Sequence, residues 1–131
     1  MIAVDTSALV AILLREPLAD ACKAALGAEE RPLISAGTLT EALIVAGARG
    51  LRDEMWDLVN QVSCEIVPVT ADTARNAAAA HARWGRGTKS AGLNFGDCFA
   101  YAVAKENSCR LLYVGRDFAK TDVKSVLRGA G

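Results

Sequence analysis

Short apolar segments alternate with helix-forming segments along this chain, and that alternation limits the folds open to it. Four of the apolar segments have the length of strands, at residues 2–4, 31–35, 65–69 and 111–114. Helices are predicted between them, with starts near Thr6, Pro17, Thr38, Leu51, Thr70 and Phe95. We expect the third helix to span residues 38–49 and the last to span 95–105. Because strands separated by helices pair in parallel, the sequence predicts an α/β fold around a mainly parallel sheet.

The composition fits a single globular domain covering residues 1–131. Hydrophobic residues make up 52% of the 131 residues, which is enough apolar surface for a substantial core. The 15 basic and 15 acidic side chains cancel to a net charge of zero, so the chain as a whole has no strong attraction for polyanions. Any contact with nucleic acid must therefore come from local groups of basic residues.

The apolar stretch at residues 2–14 is not predicted to cross a membrane. Asp5 interrupts it, no basic leader precedes it, and Pro17 follows closely. The four cysteines show no metal-binding spacing, so we expect reduced thiols in the core of a cytoplasmic protein without membrane contact. The single histidine, His81, lies in an alanine-rich helix and is predicted to be an exposed or hydrogen-bonded helix residue.

Four carboxylates scattered along the chain each fall where a strand ends or a helix begins: Asp5, Glu41, Asp97 and Asp117. In a parallel sheet such positions converge at the carboxyl ends of the strands. Converging anions resist burial unless they share a proton or surround a cation. Mg²⁺ and Mn²⁺ prefer oxygen ligands, so the sequence predicts a site for one of these ions.

Each acid also has a structural interpretation, and these alternatives stay open at the level of sequence. Asp5 could cap the first helix, and Thr38 and Glu41 could form a capping box. Asp97 could be a first-turn acid that the helix dipole stabilises. Asp117 and Asp122 are also common types of turn residue. The joint pattern carries more weight, because four such coincidences at one sheet edge are less probable than any one of them.

The segment 83–90 combines basic residues with one aromatic ring. Trp84 stands between Arg83 and Arg86, where it could stack on an unpaired base, although a packing role is favoured. The glycine-containing stretch 85–90 is predicted to be the most mobile part of the chain. The chain lacks the motifs of P-loop and dinucleotide-binding proteins, serine hydrolases and zinc proteases.

Four sequence segments resemble those of the PIN-domain ribonucleases, and within them the VapC-type toxins of bacterial toxin–antitoxin pairs. They are residues 1–8, 38–41, 93–102 and 111–118, the last followed by Thr121 and Asp122. The resemblance implies a three-layer α/β/α sandwich and a Mg²⁺-dependent or Mn²⁺-dependent endoribonuclease.

The resemblance also implies residue roles. Its metal-binding and catalytic acids match Asp5, Glu41, Asp97 and Asp117, with Asp122 as an accessory acid. Thr6 or Ser7 is expected to hydrogen-bond a carboxylate. RNA phosphates are expected to meet Arg86, Lys89 and Arg116, the last standing where the family often has Asn or Asp.

The family resemblance further implies an antitoxin of the VapB type as partner and a homodimer. Apolar residues of the first helices, with the helical hairpin at 38–62, could form a groove for the antitoxin: Leu9, Val10, Leu13, Leu14 and Leu18. A PIN-like module that binds RNA or protein without cutting it is the main alternative. A receiver-like phosphoacceptor domain is a third alternative and ranks below the nuclease, because the chain lacks the paired acids near strand one and the lysine after the last strand that this fold requires.

Overall fold

The structure is a computed structural model that describes residues 1–87 and 91–127. Within these ranges the elements follow one another as β1 (Ile2–Val4), α1 (Thr6–Leu13), α2 (Ala19–Gly27), β2 (Leu33–Ser35), α3 (Ala36–Gly47), α4 (Arg52–Gln61), β3 (Glu65–Val67), α5 (Ala71–Trp84), α6 (Phe95–Glu106) and β4 (Arg110–Leu112). The predicted alternation of strands and helices is therefore confirmed.

The four strands form one parallel sheet in the order β3-β2-β1-β4. In the middle of the sheet, Ala3 pairs with Leu33 on one side and with Leu111 on the other. The chain builds outward from β1 to β3 and then returns to the far side of β1 as β4. This reversal puts a crevice at the carboxyl ends of β1 and β4, where ligands bind in open parallel sheets.

Helices cover both faces of the sheet, because successive residues of each strand point to opposite sides. Ile2 and Val4 pack with the buried sides of α1, α2, α3 and α4. Ala3 and Leu111 pack with α5 and α6 on the opposite face. The three-layer α/β/α sandwich is therefore confirmed.

Side-chain caps mark the beginning of α1, α3, α5 and α6. Asp5 caps α1 by accepting from the backbone N–H of Ser7, and Thr70 caps α5 as predicted. Ser35 caps α3, so this helix starts at Ala36 and not at Thr38. Thr38 lies fully buried inside α3, which rules out the capping box that its spacing to Glu41 allowed.

The second, third and fourth strands differ from their predicted bounds by one to two residues, which is usual for strand ends. Pro68 follows β3 directly and has no N–H to extend the ladder. Leu9 is fully buried in the core, so it is not available to line an antitoxin groove, whereas Val10 and Leu13 are half-buried.

The cysteines, the histidine and Trp84 have the structural roles that the sequence indicates. All four cysteines carry free thiols, and His81 is exposed on α5. Trp84 is half-buried and donates from Nε1 to the hydroxyl of Tyr101 at 3.2 Å, which supports its packing role. Part of the segment expected to be mobile, residues 88–90, lies outside the described residues. In the part of the chain that is described, no helix is both long and apolar enough to traverse a bilayer.

Candidate active site

One cavity of about 290 Å³ opens at the carboxyl ends of β1 and β4. It is lined by Asp5, Thr6, Ser7, Val10, Glu16, Glu41, Asn94, Asp97, Val114 and Asp117. All four acids singled out in the sequence are therefore brought to one cavity from four separate segments of the chain. The parallel topology accounts for this convergence, since α1, α3 and α6 all begin at the same edge of the sheet.

Asp5 follows β1 directly and is tied to the neighbouring strand β4. Its backbone N–H donates to the carbonyl of Leu112, and its Oδ2 accepts from the backbone N–H of Ser7 at 3.0 Å. The hydroxyl of Ser7 also donates to the same Oδ2 at 2.7 Å and accepts from the backbone N–H of Val114 at 2.9 Å. Ser7 thus connects the end of β1 to the segment after β4 and fixes the orientation of the Asp5 carboxylate.

Glu41 and Asp97 are held by different partners. Oε1 of Glu41 accepts a 2.7 Å hydrogen bond from the hydroxyl of Thr6. Asp97 forms a reciprocal capping box with Asn94, in which each side chain accepts from the other's backbone N–H. Asp97 stands in the first turn of α6, as its alternative interpretation as a first-turn acid requires, and Asp5 caps α1 as the sequence allowed. Both side chains nevertheless line the cavity.

Burial of these acids opposes their ionisation. Burial raises the pKa of Asp5 to about 7, and the charges of Asp97 and Glu41 add to this effect against the hydrogen bonds from Ser7. Burial likewise raises the pKa of Asp97 to about 6, with Asp117 and Glu41 contributing in the same direction. The cavity therefore retains protons close to neutral pH, and a cation could replace them.

The donor set fits a hard divalent cation. The second oxygen of Asp5, Oδ1, is buried and has no hydrogen-bond partner among the described residues, so its lone pairs could ligate an ion. Within residues 1–87 and 91–127, no three Asp, Glu, Cys or His side chains are already arranged to hold an ion together. Mg²⁺ commonly binds through only one or two carboxylates and keeps several waters, so the pair Asp5 and Asp97 would suffice.

Asp117 and Asp122 lie in different places. Asp117 is exposed on the loop after β4 and lines the cavity. Asp122 lies outside it, where it accepts from the hydroxyl of Tyr101 and from Lys105, and the Tyr101 bond is the main reason why its pKa is lowered. Asp122 is therefore not among the residues that line the cavity, and its role as an accessory acid stays a prediction.

The basic residues expected to contact RNA are only partly described. The positive charge of Arg86 lowers the pKa of Asp97, so it acts on the cavity, and Arg116 is exposed immediately before Asp117. Lys89 lies outside the described residues. The cavity therefore has at least one cation close to its acids.

Glu16 is a fifth carboxylate of the cavity that the sequence analysis missed. Arg15 adopts a left-handed conformation with φ of 54° after α1, and the N–H of Glu16 then bonds the carbonyl of Ala11. This turn directs the chain back toward the cavity. A non-glycine residue in that conformation leaves no clear sequence signal.

The sequence matches one family model and several known ribonucleases over most of its length. Residues 2–124 match the family model of the PIN domain. The chain is 40% identical over 128 residues to the ribonuclease VapC30 of Mycobacterium tuberculosis. The aligned region covers 94% of this chain and 96% of that protein. It is also 40% identical over 128 residues to a ribonuclease VapC of Mycolicibacterium smegmatis, with coverages of 94% and 98%.

Solved structures share the fold at lower sequence identity. The crystal structure of Mycobacterium tuberculosis VapC20, described as a sarcin-ricin loop cleaving toxin, matches with a TM-score of 0.75 at 18% identity, covering 94% of this chain and 96% of that chain. A toxin–antitoxin complex from Klebsiella pneumoniae matches with a TM-score of 0.72 at 20% identity, covering 97% of both chains. With a family model spanning nearly the whole chain and relatives at 40% identity, this chain belongs to the PIN-domain family, in the group of the VapC ribonucleases.

Proposed function

We propose that this protein is a metal-dependent endoribonuclease that hydrolyses phosphodiester bonds of RNA and acts as the toxin of a type II toxin–antitoxin pair. The observation that carries the proposal is the cavity shared by Asp5, Glu41, Asp97 and Asp117, with an unpartnered oxygen on Asp5. The names of its 40% identical relatives, which are ribonucleases, support the same activity. The reaction class is hydrolysis assisted by a divalent cation.

The proposed cofactor is Mg²⁺, with Mn²⁺ as a substitute. Asp5 and Asp97 would hold it directly, while Glu41 and Asp117 would act directly or through bound water. When bound, such an ion lowers the pKa of water and stabilises the charge that develops on the phosphate and the departing 3′-oxygen.

The residues around the acids have positioning roles in this proposal. Ser7 fixes the orientation of Asp5 by donating to Oδ2, which leaves Oδ1 for the ion. Thr6 fixes Glu41 by donating to Oε1, and the carboxylate held in this way would orient the attacking water directly or through the ion. Arg86 and Arg116 would contact phosphates on either side of the scissile bond and so offset the repulsion between RNA and the acids.

The proposed protein partner is an antitoxin of the VapB type. Among the structural neighbours are a toxin–antitoxin complex from Klebsiella pneumoniae and VapBC2 from Rickettsia felis, the latter matched with a TM-score of 0.69 at 15% identity. An arginine supplied by the antitoxin could pair with the carboxylates of the cavity and exclude the cation. A homodimer remains a prediction of the family resemblance.

The proposal is tested by incubating total RNA with purified, antitoxin-free protein in Mg²⁺, in Mn²⁺ and in EDTA. Wild type is expected to give discrete products only with a divalent cation, and folded Asp97→Asn protein is expected to give none. Asparagine keeps the capping geometry of Asp97, so circular dichroism should show an unchanged fold. RNA that is bound but left intact by folded wild type under every condition would favour the noncutting binding module instead.

A further inference from the structure

Helices α3 and α6 meet beside the cavity through two glycines, one from each helix. A Cβ atom on Gly37 of α3 would lie 2.6 Å from the ring of Phe99 on α6. A Cβ atom on Gly96 of α6 would overlap Oε2 of Glu41 on α3, and would lie 2.5 Å from Cδ and 2.9 Å from Oε1 of the same side chain. Each helix therefore leaves room for a side chain of the other.

The glycine at position 96 is not required by the backbone. Gly50, Gly87 and Gly115 are the described glycines with positive φ, and Gly96 is not among them. Glycine in a helix also lowers its stability relative to alanine. The reason for glycine at this position is therefore the space that it leaves for the Glu41 carboxylate.

The Glu41 carboxylate is restrained from two sides, by Thr6 at one oxygen and by Gly96 at the other. Oε1 accepts the hydrogen bond from Thr6, while Oε2 rests against the backbone of Gly96 in the first turn of α6. This turn is the positive end of the helix, which favours a carboxylate there. One residue further on, Asp97 contributes its own carboxylate to the same cavity.

We propose that Gly96 is a positioning residue, whose missing side chain fixes Glu41 against α6 and thereby sets the affinity of the cavity for a divalent cation. The inference rests on the proposed function, because it requires that the cavity binds such a cation. An alanine at position 96 would meet the end of a flexible side chain, so Glu41 can rotate away without unfolding the protein. The displaced Glu41 gives up its hydrogen bond from Thr6, whereas alanine stabilises the helix relative to glycine, so the two effects on stability oppose each other and the main cost of Gly96→Ala falls on cation binding.

The experiment is a calorimetric titration of metal-free protein with Mn²⁺, together with thermal unfolding of the same samples. Gly96→Ala is expected to bind Mn²⁺ about 10-fold to 100-fold more weakly than wild type, with an unchanged or slightly higher Tm. Gly27→Ala is the matched control, because a Cβ at Gly27 in α2 would meet nothing within 4 Å. The control is expected to bind Mn²⁺ as wild type does.

A second variant separates displacement of Glu41 from other effects of the substitution. Glu41→Asp shortens the side chain by one methylene and removes its overlap with a Cβ at position 96. In this background Gly96→Ala is expected to lower Mn²⁺ affinity by less than 3-fold, so that the two substitutions are not additive.

Two outcomes overturn the inference, and they differ from each other. If wild type binds Mn²⁺ and Gly96→Ala binds it equally well, or if the loss persists undiminished with Asp at position 41, Gly96 does not position Glu41 while the proposed metal site stands. If wild type itself binds no Mn²⁺, the metal site and the inference both fail.

Discussion

The hydroxyl of Thr6 donates a 2.7 Å hydrogen bond to the carboxylate of Glu41, although 35 positions separate the two residues in the chain. Thr6 is buried at the start of α1 and Glu41 is half-buried on α3. The bond therefore ties two helices together at the point where both reach the acidic cavity.

Removing this hydroxyl should loosen Glu41. Thr6→Val keeps the shape of the side chain, and we expect about 10-fold weaker Mn²⁺ binding together with a loss of about 1 kcal/mol in the free energy of unfolding. Calorimetric titration and urea denaturation measure the two effects. Thr40→Val is the matched control, since its hydroxyl donates to the carbonyl of Ala36 on the exposed side of α3. Equal Mn²⁺ affinity in Thr6→Val and wild type would contradict the prediction.

The raised pKa of Asp5 predicts how stability depends on pH when no metal is bound. The pKa is about 7 in the folded protein against 3.8 for the ordinary side chain, so the folded state holds this proton more tightly. The contribution to stability is complete below pH 3.8 and is lost as the pH rises through about 7. We expect wild type in EDTA to lose about 1–3 kcal/mol of unfolding free energy between pH 5 and pH 8 through this group.

Asp5→Asn should flatten that pH profile, because asparagine caps α1 without carrying a charge. Urea denaturation in EDTA at several pH values measures the slope, and Asp53→Asn, at an exposed acid of α4, is the control. Some slope should remain in Asp5→Asn, since the pKa of Asp97 is also raised, to about 6. A profile identical to that of wild type would show that Asp5 does not hold the proton.

Asp117 and Asp122 should differ in their effect on RNA cleavage. Asp117 lines the cavity, whereas Asp122 is engaged with Tyr101 and Lys105. We expect Asp117→Asn to lower the rate of cleavage about 10-fold or more, and Asp122→Asn to leave the rate within about 2-fold of wild type. Initial rates on a fluorescent RNA measure both. The reverse order of effects would assign the fourth acid to Asp122.

Arg86 should contribute to RNA binding through its charge. In EDTA, Arg86→Gln is expected to weaken binding of single-stranded RNA and to reduce the slope of log affinity against log salt by about 0.7. Fluorescence anisotropy at several salt concentrations gives this slope. Arg110→Gln is the control, because Arg110 is the first residue of β4 and the cavity lies at the carboxyl end of that strand. An equal change in both variants would indicate a general charge effect.

Much of the fold follows from local sequence patterns. The apolar strand at residues 2–4 was predicted with its observed bounds, and the parallel sheet followed from the alternation of strands and helices. The start of α3 was predicted at Thr38 because Thr38 and Glu41 have capping-box spacing, yet Ser35 is the cap. The packing that buries Thr38 inside the helix was not visible in the local sequence.

The acidic residues of the site were predictable, but their partners were not. Asp5, Glu41, Asp97 and Asp117 follow from strand ends and helix starts in a parallel sheet. The contact between Gly96 and Glu41 depends on how closely α3 and α6 approach. Likewise, the direction taken by Asp122 depends on Tyr101, which lies 21 residues away in sequence. Such features arise from tertiary geometry that no local pattern encodes.

The sheet order joins the first strand of the chain to the last, since β4 completes the sheet beside β1. During synthesis, therefore, a growing chain carries Asp5 and Glu41 long before it carries Asp97 and Asp117. The cavity closes only after β4 has left the ribosome and paired with β1. Any activity that needs all four acids is thus withheld from incomplete chains, and a truncation before residue 117 yields a protein without the full site.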